Sequence, residues 1–553
     1  MIKTLRTISI LILLVLISSE GFPQRRMVAE WEPAFGTLIR WPLGIPGDLV
    51  VELARHDTVY VLVENSAQQS QASYTFSSYG VNLNHCRFIT ANTWSHWTRD
   101  WGPHYVFNEN GQAGIADPMF EGYPWVPGCN AKTASYSIRE PRGYEEDDAV
   151  NITLAEELGL PLISFTAYLT GGNIMTDGQG RAFSTRQMLD ESAQFCNEVC
   201  FMNIAEELLG IQQYFITENP EVYGIQHIDC YAKFLDEERI LVKDLPQGHP
   251  EYECVRQLAE YLSGQNSCYG RPYEIHRIYC PVITGDEVPA YTNSLILNKK
   301  VLVPLFGIPQ DEQALQTYRD LMPGYEVIGF TGSWYYYDAL HCRTMGIFDP
   351  QMLVMRHKQP HMTAAGFPAN MILKVDDRSE TGLLPESLNL YWREQGNIQW
   401  NVLPLQPMTG PDSLYAQLPA FADGKVIQYY FTAADLSGRA EKLPRTAPGG
   451  YYSVEYSDLL VPVSNKENVT RLSVFPMPFN TCITVRFTSL VNGEVNARLY
   501  DVTGRLVSEI RKQGIASEVT EFNFFTGNLD RGFYLLGVYS GDAAVSVKIL
   551  KDE

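Results

Sequence analysis

Residues 300–331, KVLVPLFGIPQDEQALQTYRDLMPGYEVIGFT, decide the fold. A β-branched run (KVLVPLFG) leads into a segment with apolar residues at helical spacing (EQALQTYRDL), and a second β run follows (YEVIGF). That order predicts one strand–helix–strand unit. The same pattern returns upstream at 37–65, 105–167, 181–217 and 239–281, making five copies. The second and third copies share Ala-Glu-Glu-Leu, at 155–158 and 205–208, each on a helical pattern soon followed by a strand. Five such units imply a repeated α/β architecture whose loops converge on one side, where a site would sit.

The 553 residues are 45% hydrophobic and 19% charged, which excludes global disorder and suits several folded domains. With 42 Lys and Arg against 64 Asp and Glu the net charge is −22, a field that repels nucleic acid and anionic membranes and favours cationic ligands. At the N-terminus, Lys3 and Arg6 precede an uncharged run from Thr7 to Ser19, too short to span a bilayer but suited to a secretory signal. Residues 1–23 are therefore expected to be a signal peptide, and no transmembrane segment is expected elsewhere. The ten cysteines are scattered, with Cys196 and Cys200 spaced C-x3-C, so one or two local disulfides fit better than a zinc ribbon.

Residues 24–358 form the expected catalytic domain. Beyond His357 the texture changes to short alternating strands with turn signals, and 359–457 reads as a β-sandwich of immunoglobulin-like topology. A polar linker at 458–469 leads to a second small β unit at 470–553. This last unit resembles the C-terminal sorting domain of the type IX secretion system. The resemblance rests on Phe475-Pro476-Met477-Pro478-Phe479-Asn480, Leu499-Tyr500-Asp501-Val502-Thr503-Gly504-Arg505, Gly532-Phe533-Tyr534 and Lys548-Ile549-Leu550-Lys551. It implies export, a secreted or outer-membrane-surface location, and the type IX machinery as a partner.

Three separated clusters carry chemistry: Trp97-Thr98-Arg99-Asp100; His227-Ile228-Asp229, read as part of a strand with both polar side chains on one face; and Asp338-Ala339-Leu340-His341-Cys342-Arg343-Thr344 after an aromatic loop. Each alone fits a bland structural role, a core tryptophan beside an ion pair, a hydrogen-bonded histidine or a buried inert thiol. Together they fit attack on a guanidinium, which needs a thiolate nucleophile, carboxylates along the N–H edges and a proton donor for departing ammonia.

The order of these clusters, with Thr170-Gly171-Gly172-Asn173-Ile174-Met175-Thr176-Asp177-Gly178 and Tyr291-Thr292-Asn293-Ser294-Leu295-Ile296-Leu297-Asn298 between them, resembles the Porphyromonas-type peptidylarginine deiminases and, more distantly, agmatine deiminases. The resemblance implies a five-bladed α/β propeller of the guanidino-group-modifying superfamily. It implies Cys342 as nucleophile, His227 as general acid and base, Asp100 and Asp229 as guanidinium clamp, Trp97 lining the slot and Asn293 as a supporting polar contact. It also implies no cofactor, with calcium not required for activity and room left for a structural cation. Arginine-containing peptides or proteins are the implied substrates, acted on by a monomer.

The family reads a substrate carboxylate with an Arg-Pro-Arg loop. Here, aligned on Pro141, Arg142 matches the second arginine, Glu140 replaces the first and Arg139 is shifted by one place. The stretch Glu121–Cys129 before it looks inserted. Two other readings stay open: a deiminase of a small guanidine such as agmatine or free arginine, and a non-catalytic surface adhesin on the same fold.

Overall fold

The computed structural model describes residues 25–124, 126–129, 143–408, 412–457, 463–465, 469–489, 492–501, 506–516, 518–527, 529, 531–540 and 543–551. The expected signal peptide, Arg139 and Arg142 lie outside them.

Each of the five copies folds as two parallel strands joined through helix. In the copy that begins at Lys300, strand Lys300–Leu305 runs into helix Asp311–Leu321 and returns as strand Glu326–Thr331, in register from Lys300 opposite Glu326 to Leu305 opposite Thr331. Parallel neighbours need such a crossover. The other pairs are Ala34–Arg40 with Thr58–Val63, Ala113–Met119 with Leu162–Tyr168, Arg181–Thr185 with Gln213–Thr217, and Arg239–Asp244 with Glu274–Tyr279. Val301, Leu302 and Val303 are fully buried, as expected of a parallel strand covered on both faces. The two Ala-Glu-Glu-Leu segments end their helices alike, at Gly159 and Gly210, both in the left-handed region (φ 66° and 69°) where a side chain would be strained.

A feature beyond the sequence pattern is a third strand in every copy, antiparallel to the first: His104–Phe107, Met175–Thr176, Ala232–Phe234, Leu295–Leu297 and Met345–Phe348. The last of these pairs with Ala34–Arg40, so the end of the region closes on its beginning.

The next unit has two sheets over a common core that includes Leu373, Leu390, Leu418, Ile427, Phe431 and Val454. Its first strand, Leu353–Arg356, pairs with Ala369–Asp377 and so starts before the expected boundary at 358. The strand serves both neighbours. Met352 and Val354 pack into the α/β core while Leu353 and Met355 pack into the sandwich core, the two-residue alternation of a strand. The C-terminal unit also has two sheets, around a core that includes Phe487, Phe522, Leu536 and Ile549. The segment expected as a linker contributes to it: Val463–Asn465 pairs with Ala543–Lys551.

Candidate active site

The third strands place the chemistry. Asp100 lies in a short helix (Thr98–Trp101) just before His104–Phe107, Gly172 precedes Met175–Thr176, and Asp229 precedes Ala232–Phe234. Asn293 precedes Leu295–Leu297, and Cys342 precedes Met345–Phe348. Five segments entering equivalent strands thus bring together residues spread over more than 240 positions of sequence.

His227 and Asp229 do not lie on one strand as expected. Gln226, with φ 59°, turns the chain, and Ile228–Cys230 forms a 3-10 turn. Gln226 is held there by its own side chain, which bonds the Glu221 N–H and the Val126 carbonyl. The irregular backbone still delivers both side chains to one place.

Asp229 Oδ2 accepts from Asn293 Nδ2 at 3.0 Å and lies 3.5 Å from the Cys342 thiol. Asn293 Nδ2 also reaches Cys342 Sγ at 3.2 Å, while its Oδ1 accepts the N–H groups of Ala339, His341 and Cys342 at 3.1, 3.0 and 3.2 Å. Asn293 therefore shapes the loop that carries the thiol. Arg99 N–H donates to the Cys342 carbonyl, tying that loop to the Asp100 helix. Asp100 Oδ1 accepts from Gly172 N–H at 3.0 Å and lies 3.6 Å from His227 Nδ1, too far for a hydrogen bond. A Cβ on Gly172 would sit 2.6 Å from Asp100 Oδ1, 2.9 Å from His227 Nδ1 and 3.1 Å from Asp229 Oδ2. Only glycine leaves the space among these three groups open.

Their charges differ by environment. Burial, then the nearby Asp229 carboxylate, pushes Asp100 well above the usual carboxylate range. Burial would raise Asp229 too, but the hydrogen bond and charge of His341 outweigh it and hold Asp229 below its ordinary value. Burial drives His227 down to about 4, so its imidazole is neutral at pH 7 and able to accept a proton. Cys342 is raised well above the ordinary thiol value, by burial first and then by Cys230, Asp229 and Asp100. An empty site thus favours the thiol, and a bound guanidinium would shift the balance toward thiolate.

Trp97 is half-buried beside Asp100, its ring 4.8 Å from and edge-on to Tyr123. Tyr123 belongs to the stretch read as an insertion, and its phenol donates to Asp100 Oδ2 at 2.8 Å. A Val126–Pro127 strand paired with Tyr223–Gly224, and a Cys129–Cys254 disulfide, anchor the stretch. The other disulfide among the described residues is the local pair Cys196–Cys200.

Sequence reading also passed over Glu30, Lys233 and His341. His341 Nδ1 and Nε2 lie 2.7 Å from Asp229 Oδ2 and Glu30 Oε2, and Lys233 Nζ bonds both Glu30 oxygens at 2.9 Å. One signal was available for His341, its place beside Cys342. Nothing local marked Glu30, which comes from 311 residues away.

A family model described as Porphyromonas-type peptidyl-arginine deiminase matches residues 26–347, more than half of the chain and all five entry segments. The chain belongs to this family. As a Porphyromonas-type peptidyl-arginine deiminase family member it also has curated relatives among proteins named as candidate agmatine deiminases. One from Listeria monocytogenes is 24% identical over 364 residues, covering 56% of this chain and 91% of the relative. Another, from Photobacterium profundum, is 25% identical over 352 residues with the same coverage.

Two solved structures share the fold. A candidate arginine deiminase of Porphyromonas gingivalis has TM-score 0.50 and 20% identity, covering 59% of this chain and 99% of that one. The agmatine deiminase of Enterococcus faecalis has TM-score 0.51 and 19% identity, covering 60% and 99%. A model of the secretion system C-terminal sorting domain matches residues 473–552, which marks this family member for export to the medium or the cell surface by the type IX machinery. Among the described residues no helix is long and apolar enough to cross a membrane.

Proposed function

We propose that the protein is an exported deiminase that hydrolyses the guanidinium of peptidyl-arginine to the ureido group of citrulline, releasing ammonia. The observation that carries this reading is the convergence of Cys342, Asp229, Asp100 and His227 around the space that Gly172 leaves open. The carboxylates hold the guanidinium N–H edges, and neutral His227 takes the Cys342 proton as the sulfur attacks the central carbon. The C–N bond then breaks, His227 returns the proton to the departing ammonia, and a thiouronium remains on sulfur. Water enters and gives one proton to His227 as its oxygen bonds the central carbon; the C–S bond then breaks, His227 returns that proton to the departing sulfur, and the remaining hydroxyl proton passes to solvent to leave the neutral ureido group. The guanidinium is already cationic and electrophilic, so this path calls on no cofactor or calcium.

We read the five units as blades of a propeller, a reading supported by the closure of Met345–Phe348 on the first unit, and the following sandwich as immunoglobulin-like. Peptidyl arginine is supported by the family and by export. A small guanidine is favoured by the agmatine deiminases among the relatives and by the enclosure of Asp100, Asp229 and Cys342, each at least 95% buried. Ammonia and ureido product measured side by side on a peptide with C-terminal arginine, on internal arginine and on agmatine test the reading. Turnover of none of the three would end it.

Two variants refine it. If Arg142 pairs with the carboxylate of a C-terminal arginine, Arg142→Ala slows that peptide by an amount worth about 1.5 to 3 kcal/mol and leaves agmatine nearly unchanged. An equal loss on both substrates would remove the carboxylate role. The Tyr123 phenol occupies an Asp100 oxygen that the substrate needs. Tyr123→Phe is therefore expected to lower KM by roughly threefold to tenfold at unchanged kcat. A rise in KM would instead make the phenol part of the binding set.

A further inference from the structure

Behind the proposed clamp lies a buried chain of charges that the mechanism above does not use. His341 sits between two carboxylates, with Nδ1 2.7 Å from Asp229 Oδ2 and Nε2 2.7 Å from Glu30 Oε2. Each oxygen is an acceptor when ionised, so the ring satisfies both only by donating from both nitrogens, which makes it an imidazolium. Glu30 is further held by Lys233 Nζ at 2.9 Å on both oxygens and by the Ile296 N–H at 2.8 Å. These contacts suit an ionised carboxylate. Despite its burial, Glu30 stays well below the ordinary range, with His341 and Lys233 as the leading causes. His341 and Lys233 are each 4% exposed and Glu30 20%, so solvent screens the cluster only weakly.

The arrangement has a direction. Both close contacts on Asp229, from His341 and Asn293, fall on Oδ2. Among the described residues the only side chain on Oδ1 is the Cys230 thiol at 3.6 Å, a weak donor. Oδ2, the oxygen that also faces the space beside Gly172 and the Cys342 thiol at 3.5 Å, is thus the anchored one. We propose that His341 is a positioning residue for the reaction: an imidazolium between Glu30 and Asp229 that keeps Asp229 ionised and fixes its carboxylate beside the space where the substrate guanidinium binds.

This inference rests on the deiminase reading, and it asks more of the site. The charged and titratable groups around the ring are Asp229 and Cys342 on the substrate side and Glu30, Lys233 and Arg99 on the other. Removing the cation leaves Asp229 buried near Asp100 with no positive neighbour as close, so Asp229 takes up a proton at higher pH than before. Because the ionised form is the one that holds substrate, the acid limb of kcat/KM then moves upward.

The test uses the full chain and two variants, Glu30→Gln and His341→Gln. In the wild type labelled with 15N-histidine, the resonance lost in His341→Gln is expected to report both ring nitrogens protonated at about pH 7. In Glu30→Gln, whose altered side chain is remote from the substrate, kcat/KM is expected to fall roughly tenfold or more with the acid limb raised by about one pH unit. If His341→Gln does not fold, the ring resonance is assigned as the one Glu30→Gln perturbs. A neutral ring in the wild type overturns the proposal, as does a Glu30→Gln enzyme that loses thermal stability yet keeps the wild-type acid limb. Should the wild type release no ammonia from any guanidine, the deiminase reading fails, and the ring resonance still decides whether the imidazolium exists.

Discussion

Cys342→Ala is expected to lower ammonia release from every guanidine substrate by a factor on the order of 10⁴ or more, to the background of the uncatalysed reaction. In the proposed path the thiol is the attacking atom, and its neighbours are already engaged: Asn293 is a donor, Asp229 serves as acceptor to His341 and Asn293, and the neighbouring Cys230 thiol is tied to the Tyr337 carbonyl at 2.9 Å. Loss of a thiol that has two carboxylates as neighbours costs the fold little, so the melting temperature should stay within a few degrees of the wild type. Steady-state ammonia release with a melting curve on the same sample checks both halves. Turnover within tenfold of the wild type would remove Cys342 from the chemistry.

Asp229→Asn and Asp100→Asn are each expected to reduce kcat/KM by about a hundredfold or more, roughly 3 kcal/mol, because each removes one charged edge of the clamp. Their effects on stability should differ. Asp229 is the ionised partner of a buried imidazolium, and its neutralisation leaves that cation short of one counter-charge, a loss of about 3 to 5 kcal/mol. Asp100 is pushed toward its neutral form in the empty site, where asparagine nearly matches it in shape and charge, so its melting temperature should barely move. Equal destabilisation by both would contradict the division of charge between the two carboxylates.

The parts of this protein that were legible in sequence are those with short-range periodicity. Strands such as Lys300–Leu305 and helices such as Asp311–Leu321 follow from residue type and spacing, so the α/β repeat emerged directly. The third strands did not, because segments of two to four residues such as Met175–Thr176 are too short to carry a pattern. Among site residues, Asp100, His227, Asp229 and Cys342 were found through chemistry and resemblance, and the structure brings them together. His227-Ile228-Asp229 does not form the expected strand because the turn depends on Gln226, one of whose partners, the Val126 carbonyl, lies 100 residues away and leaves no trace in the local sequence. Tyr123 was hidden in an apparent insertion whose anchor, Cys129–Cys254, joins residues 125 apart. Glu30 and Lys233 escaped for the same reason, since an ion pair across 203 positions leaves no trace in either neighbourhood.

Covalent capture of substrate on Cys342 tests the central claim most directly. Enzyme mixed with excess agmatine or arginine peptide, quenched in acid during turnover and digested, should yield the Cys342 peptide heavier by the substrate less one ammonia. The same peptide from a sample quenched after substrate is exhausted should have its free mass. A Cys342 peptide that remains unmodified throughout active turnover, while product accumulates, would contradict the thiouronium path.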